Sequence, residues 1–366
     1  MMVYIFLLIF VFACGLIPFQ YPQNRTARII FLILTFGAMT IILGLRGETV
    51  GEDTKHYLMM FRYADQVTWK DMLRGTGFRT VWYIDQYGFH DTVENGWLAL
   101  CKFVHLFTDN GQVFIFLISA LTCGLFAKFI YDNSVSVFYS TVIFMCESMY
   151  MFSFNGARQM LAVALTLYVY TALKRRKIIK AVVYVLLAAL IHNTALVAFA
   201  LFPFVLIKQA GSYKKFKYAI VAAALSPFAV MMLKTAISRL IPRYTLYFTT
   251  NYWTNSVGGS VVLWVAEFAL ILAMYEKKFR VENSFQYSCF TLMYLAFELM
   301  GLQFSVFGRV AYYFRVFLIL FFPCTDLYFS SKSRKVIRYA IIFLLILLFF
   351  SYARTDTRIY SFFWQN

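Results

Sequence analysis

Apolar residues fall in runs about as long as the ~20 residues a bilayer-spanning helix needs, and these runs recur from one end of the chain to the other. They predict spanning helices at 2–19, 27–45, 112–131, 136–152, 157–173, 178–191, 193–207, 217–233, 258–275, 286–301, 305–329 and 336–352. The stretch 95–108 is apolar but too short to cross and carries Lys102 and His105. It reads as an amphipathic helix lying at the membrane surface. Two longer polar stretches remain, 46–95 and 234–257. Both mix charges with aromatic residues, among them Trp69, Trp82, Tyr83 and Tyr87 in the first and Tyr244, Tyr247, Tyr252 and Trp253 in the second. That composition suits interfacial helices and stacking on sugar rings.

Composition agrees: 61% hydrophobic and 14% charged residues, with a mean hydropathy of +0.68, predict an all-α, polytopic membrane protein forming one integral-membrane domain over 1–366. A net charge of +17 would suggest nucleic acid in a soluble chain. Here the bases sit in short loops between apolar runs, as the positive-inside bias requires, and nucleic acid is excluded as a partner. The six cysteines are scattered singly in apolar segments, with no metal or disulfide spacing. Val3 to Phe19 is expected to be retained as a first helix, since no Lys or Arg precedes Arg25 and no small-residue cleavage pattern follows.

If 95–108 does not cross, the loops around Arg25/Arg28, Lys174–Lys177, Lys208–Lys217, Lys277–Arg280 and Lys332–Lys335 all fall on one side, which is then cytoplasmic. The region 46–95, with eight Asp or Glu against six Lys or Arg, then lies outside as part of a loop with amphipathic helices over 46–110, as do a second loop, 234–257, and both termini. Twelve crossings result, and the same topology gathers Arg46, Asp53, Glu94, Arg158, His192, Arg239, Arg243 and Arg309 at the outer face. Polar residues that converge from distant places on one end of a helical bundle are how a membrane enzyme builds a site.

The densest cluster is Arg46 to Tyr57. Gly47 and Gly51 permit a tight backbone, Asp53-Thr54 can cap the helix that carries Tyr57 and Phe61, and Arg46 can fork onto a phosphate or pair with Asp53. Arg158, followed by Gln159, opens a helix whose positive end would repel it unless an anion is bound there. His192 interrupts an apolar stretch with two basic ends, so the chain must turn near it, and an imidazole there can act as a general base. Arg309 and Arg315 lie in an apolar helix with Tyr312 and Tyr313, where an arginine costs roughly 3 kcal/mol on insertion scales. Glu147, Glu267 and Glu298 are candidate partners. No P-loop, zinc-protease, serine-hydrolase or Asp-x-Asp pattern occurs; neither metal nor cofactor is expected.

The run Arg46-Gly47-x-x-x-Gly51-x-Asp53-Thr54-x-x-Tyr57-x-x-x-Phe61, then Glu94-x-Gly96, Asn155-Gly156-x-Arg158-Gln159-x-x-Ala162, His192-x-x-Ala195, Arg309-x-x-x-Tyr313-Phe314 and Tyr360-x-Phe362 resembles the EpsG branch of the Wzy-type polysaccharide polymerases, in order over nearly the whole chain. The resemblance implies a membrane glycosyltransferase (GT-C-like) architecture. It implies a polymerase of O-antigen, capsule or exopolysaccharide in the bacterial inner membrane, acting on undecaprenyl-diphosphate-linked repeat units at the periplasmic face without a metal. Membrane lipids and a chain-length regulator would be its partners. On that reading His192, Asp53 and Arg158 are catalytic, and Arg46, Thr54, Tyr57, Glu94, Gln159, Arg239, Arg243, Arg309 and Tyr313 bind substrate. An O-antigen ligase shares the donor chemistry, and a flippase of lipid-linked oligosaccharide is the non-enzymatic alternative.

Overall fold

Each of the twelve apolar segments is helical in the computed structural model, which describes residues 1–21, 23–75, 79–84, 90–206, 212–240, 260–354 and 359–365. The helices are α1 Met2–Cys14, α2 Leu16–Gln20, α3 Arg25–Gly44, α4 Thr54–Tyr63, α5 Trp69–Arg74, α6 Asn95–His105, α7 Gly111–Asn133, α8 Val137–Cys146, α9 Met149–Asn155, α10 Ala157–Lys174 and α11 Ile178–Ile191. After a 3-10 stretch, Asn193–Ala200, come α12 Leu201–Leu206, α13 Phe216–Leu240, α14 Ser260–Glu276, α15 Ser284–Gly301, α16 Ser305–Arg315, α17 Leu318–Thr325 and α18 Ser331–Ala353. Their starts are set by local chemistry: Asn24, Asn110 and Ser136 accept from backbone amides of the first turns of α3, α7 and α8, replacing partners those amides cannot find inside the helix.

Five of these segments are long and apolar enough to cross a bilayer: Met2–Gln20, Arg25–Gly44, Gly111–Asn133, Tyr213–Met232 and Ser331–Ala353. Counting each of two bent pairs as one span gives seven. The protein is a helical membrane protein with several spans, and twelve crossings exceed what length and composition establish. The 14 residues of α11, for example, reach only about 21 Å at 1.5 Å per residue, short of a ~30 Å hydrocarbon core. The pair α8/α9 bends by 43° where Ser148 takes a left-handed φ of 57°. The pair α16/α17 bends by 55°.

One expectation is corrected. The region 46–95, expected to hold interfacial helices, is not wholly helical: α4 and α5 are followed by an antiparallel hairpin of β1 Arg79–Ile84 and β2 His90–Glu94. Thr80, Val81 and Ile84 in β1 and Thr92 and Val93 in β2 suit a pleated pair better than a surface helix. The ladder aligns Arg79 with Glu94 and Thr80 with Val93, with an irregularity between Val81 and Tyr83. Asn95 ties it down, accepting from Thr80 Oγ1 at 2.7 Å and donating to the Met72 carbonyl at 2.7 Å. The helix expected at 95–108 is present as α6.

The chain divides into two compact units, 1–199 with 349–366, and 200–348. In the first, a buried aromatic core joins α4, α6 and α7. Phe61 of α4 stacks on Phe114 of α7 at 4.6 Å, and Trp97 of α6 meets the same ring edge-on at 5.4 Å. In the second, Arg315 is closed into a buried cluster, 3.3 Å from Glu298 and donating to the Tyr294 hydroxyl at 3.0 Å. Trp264 donates to the same hydroxyl. Glu298, one of the acidic partners weighed for the helix-embedded arginines, is thus seen with Arg315.

Candidate functional site

The first unit brings together residues from six stretches of sequence. Arg46 follows α3 and is buried, at 1% exposure. Its Nε donates to Thr54 Oγ1 at 3.1 Å, its Nη1 donates to the Leu43 carbonyl, and the guanidinium lies 5.7 Å from the Phe154 ring. Burial pulls its pKa down to about 10, against the opposing influence of the Tyr57, Tyr150, Tyr360 and Tyr4 hydroxyls; it is still a cation at neutral pH. Thr54 in turn donates to the Val50 carbonyl at 2.6 Å. The loop closes so tightly because Gly51 sits at φ +87°, where a Cβ would stand 2.1 Å from the Phe154 carbonyl oxygen.

The pairing of Arg46 with Asp53 expected from their spacing does not form. Asp53 precedes α4 without capping it through its side chain, and its Oδ2 lies 3.2 Å from the Tyr57 hydroxyl. That hydroxyl is also 3.0 Å from the Asn155 carbonyl, so two acceptors share one proton. Burial, then Asp53, drives the Tyr57 pKa well above its ordinary value, and the phenol stays neutral. The Arg158 guanidinium and backbone amide oppose that rise without reversing it.

Arg158 is held by Glu94. The Nη1–Oε2 distance is 2.9 Å, and the two side chains are 18% and 4% exposed. Glu94 stands where β2 ends and α6 begins, and its other oxygen accepts from the Asn193 backbone amide at 3.2 Å. One carboxylate therefore fixes both Arg158 and the turn beside His192, whose Nδ1 meets Thr194 Oγ1 at 2.7 Å. α6 can approach this turn because residue 96 is glycine: a Cβ there would meet the Leu190 carbonyl oxygen at 2.6 Å. Gln159 is buried next to Arg158.

Four buried polar atoms in this neighbourhood have no hydrogen-bond partner among the described residues: Arg46 Nη2, Trp97 Nε1, Asn155 Oδ1 and Arg158 Nε. Tyr57 stands between two of these residues, its ring packing 5.5 Å from Trp97 and its hydroxyl donating to the Asn155 backbone carbonyl. Three of the four are donors, Arg46 Nη2, Trp97 Nε1 and Arg158 Nε, and one, Asn155 Oδ1, is an acceptor.

The C-terminal segment completes the surroundings of Arg46, a feature that spacing gave no reason to expect beyond the bare Tyr360-x-Phe362 pattern. Phe362 bridges to Arg46 in antiparallel fashion, Gly47 donates to the Ser361 carbonyl at 2.8 Å, and Phe363 donates to the Leu45 carbonyl at 3.0 Å. The Tyr360 hydroxyl donates to the Ile42 carbonyl at 2.8 Å. Trp97, Asn155 and Tyr360 were not among the expected site residues.

The other expected residues belong to the second unit or fall on residues outside those described. Arg309 is exposed and Tyr313 buried on α16, in the second unit. Arg239 falls near the end of α13. Residues 234–240 of the expected loop 234–257 continue α13 as helix, whereas its remainder from 241, with Arg243, lies outside the described residues, as do Tyr87 and Lys208. Among the described residues no three His, Cys, Asp or Glu side chains gather in a way that could hold a metal ion.

The chain matches the EpsG family over residues 29–365, which takes in every element of this network. It belongs to the EpsG family. No curated protein and no solved structure is detectably similar to it. For an EpsG-family chain the Arg46, Glu94, Arg158 and His192 segments thus meet in one unit, although up to 64 residues separate the ion-paired partners.

Proposed function

We propose that this EpsG-family protein is a membrane polysaccharide polymerase that joins repeat units carried on a lipid diphosphate, working at the outer face of the bacterial inner membrane. The observation that carries the reading is the Glu94 bridge, which holds a partly exposed arginine with an unpartnered Nε beside the turn that bears His192. In the reaction, the hydroxyl of an acceptor repeat unit attacks the anomeric carbon of the donor chain. The new C–O bond forms, the bond from the anomeric carbon to the diphosphate oxygen breaks, and lipid diphosphate leaves with the electron pair. Arg158 is placed to bind that developing charge, commonly the largest catalytic contribution. His192, oriented by the contact of its Nδ1 with Thr194 Oγ1, is the acceptor for the hydroxyl proton. Asp53 and Tyr57 orient the first turn of α10, and Arg46 with Thr54 sets the charge behind it.

The test is product length with purified protein and lipid-linked repeat unit from about pH 5.5 to 9. Arg158→Lys should recover little activity, because a point charge cannot replace a fork. His192→Gln should lose both rate and the acid limb of the profile. A His192→Gln protein that keeps its rate and acid limb removes His192 from the proton step, and full chain length with Arg158→Lys removes the fork. Ligation of preformed glycan to lipid A, with no growth of repeat number, would mark a ligase; transport without any glycosidic bond would mark a flippase.

A further inference from the structure

Away from this network, a groove of about 580 Å³ runs along the packed pair α3 and α7. Ile29, Ile33, Phe36 and Ala127 are among the residues that line it, and Gly37 and Gly124 form part of its wall. A Cβ built on either glycine meets nothing within 4 Å, so the groove is true open space. From Arg25 to Thr40 it extends about 22 Å at 1.5 Å per residue. That is enough to take a chain through one leaflet of a ~30 Å hydrocarbon core.

Its two ends differ. At one, Arg25, Lys128, Tyr131 and Asp132 form the rim, with Arg28 close by, bonded to the Tyr131 and Ser134 carbonyls. Arg25 Nε donates to the Tyr131 hydroxyl at 2.8 Å, which fixes the guanidinium at the mouth. Lys128 pairs with Asp132, so three cations face one carboxylate and the rim is positive. The other end, at Thr40, carries no charge.

The geometry points to a phospholipid-binding site, with one acyl chain of an anionic phospholipid in the groove and its phosphate against Arg25 and Lys128. A long apolar channel with a cationic mouth at membrane depth matches a chain that ends in an anion. A second copy of this chain fits less well, because a two-fold contact along the membrane normal would bring the Arg25 and Lys128 rims together, cation against cation.

Native mass spectrometry of the full chain in detergent, titrated with phosphatidylglycerol or with phosphatidylcholine of the same acyl chains, tests this. The parent should retain phosphatidylglycerol at least ten-fold more tightly. Arg25→Gln/Lys128→Gln should reduce that preference to near unity while binding of phosphatidylcholine stays as it was. Gly37→Leu and Gly124→Leu place side chains into open space, so they should fold as the parent does and lose both lipids. Equal affinity of the parent for the two lipids, or undiminished binding in the two leucine variants, would overturn the assignment. Displacement of phosphatidylglycerol by a polyprenyl phosphate at equimolar concentration would overturn it as well, by naming a different occupant.

Discussion

Removing Glu94 should show how the site is held together. The carboxylate is 4% exposed and satisfies both Arg158 Nη1 and the Asn193 amide. Glu94→Ala leaves a mostly buried guanidinium without its carboxylate. Loss of one partner from a buried pair costs about 3–5 kcal/mol, and the 18% exposure of Arg158 puts this pair at the lower end. The orphaned Asn193 amide adds about 1 kcal/mol, so the total is ~4 kcal/mol. Arg158→Ala leaves the carboxylate its backbone donor and should cost less. In the double variant no unpaired charge remains, and the cycle should give a coupling of about 2–3 kcal/mol. Thermal unfolding of the four proteins in one detergent reads this directly, at about 2–4 °C per kcal/mol for a body of this size. Costs that add to within ~0.5 kcal/mol would mean that Glu94 and Arg158 do not act as a unit, and the bridge to the His192 turn would lose its meaning.

Gly51→Ala should destabilise the first unit strongly, by about 1–2 kcal/mol for the left-handed backbone and more for the contact with the Phe154 carbonyl. Gly37→Ala, in open space, should be neutral or slightly stabilising, and a lower folded yield for Gly37→Ala than for Gly51→Ala would refute the geometry. His105, at the end of α6, faces the Phe61 carbonyl at 2.6 Å through Nε2, and Asp109 and Asp65 at 3.1 and 3.6 Å through Nδ1, with the Lys102 ammonium 3.8 Å from Asp65. Two ring nitrogens that both meet acceptors require the imidazolium. Burial is the largest single influence and pulls its pKa down, but the Phe61 carbonyl and the two carboxylates together outweigh it and raise the pKa. With the folded value above the unfolded one, this contribution to stability is full below about pH 6.5 and is lost as pH rises through the folded pKa. Melting temperature should therefore fall over that window in the parent and stay flatter in His105→Gln; parallel curves would exclude the role.

The helices and their order could be read from the chain because each apolar run must satisfy its own backbone, and in a bilayer a helix does so with local contacts alone. The amphipathic α6, the turn at His192 and the crowding of charge between 46 and 57 were legible for the same reason: each is a statement about neighbours in sequence. The hairpin was not. Arg79–Ile84 mixes aromatic and β-branched residues with charge, and whether such a stretch pairs or coils depends on what it meets, here a partner strand and the Asn95 lock. Nor did spacing reveal which carboxylate each arginine takes. Asp53 is seven residues from Arg46 and bonds Tyr57, whereas Glu94 and Arg158 are 64 apart and in contact. An ion pair in a helical bundle is chosen by which ends of which helices the packing brings together, and by which charges burial then leaves without water. Sequence lists the charged groups; only the packed core, closed at Gly51 and Gly96, decides which of them must answer one another.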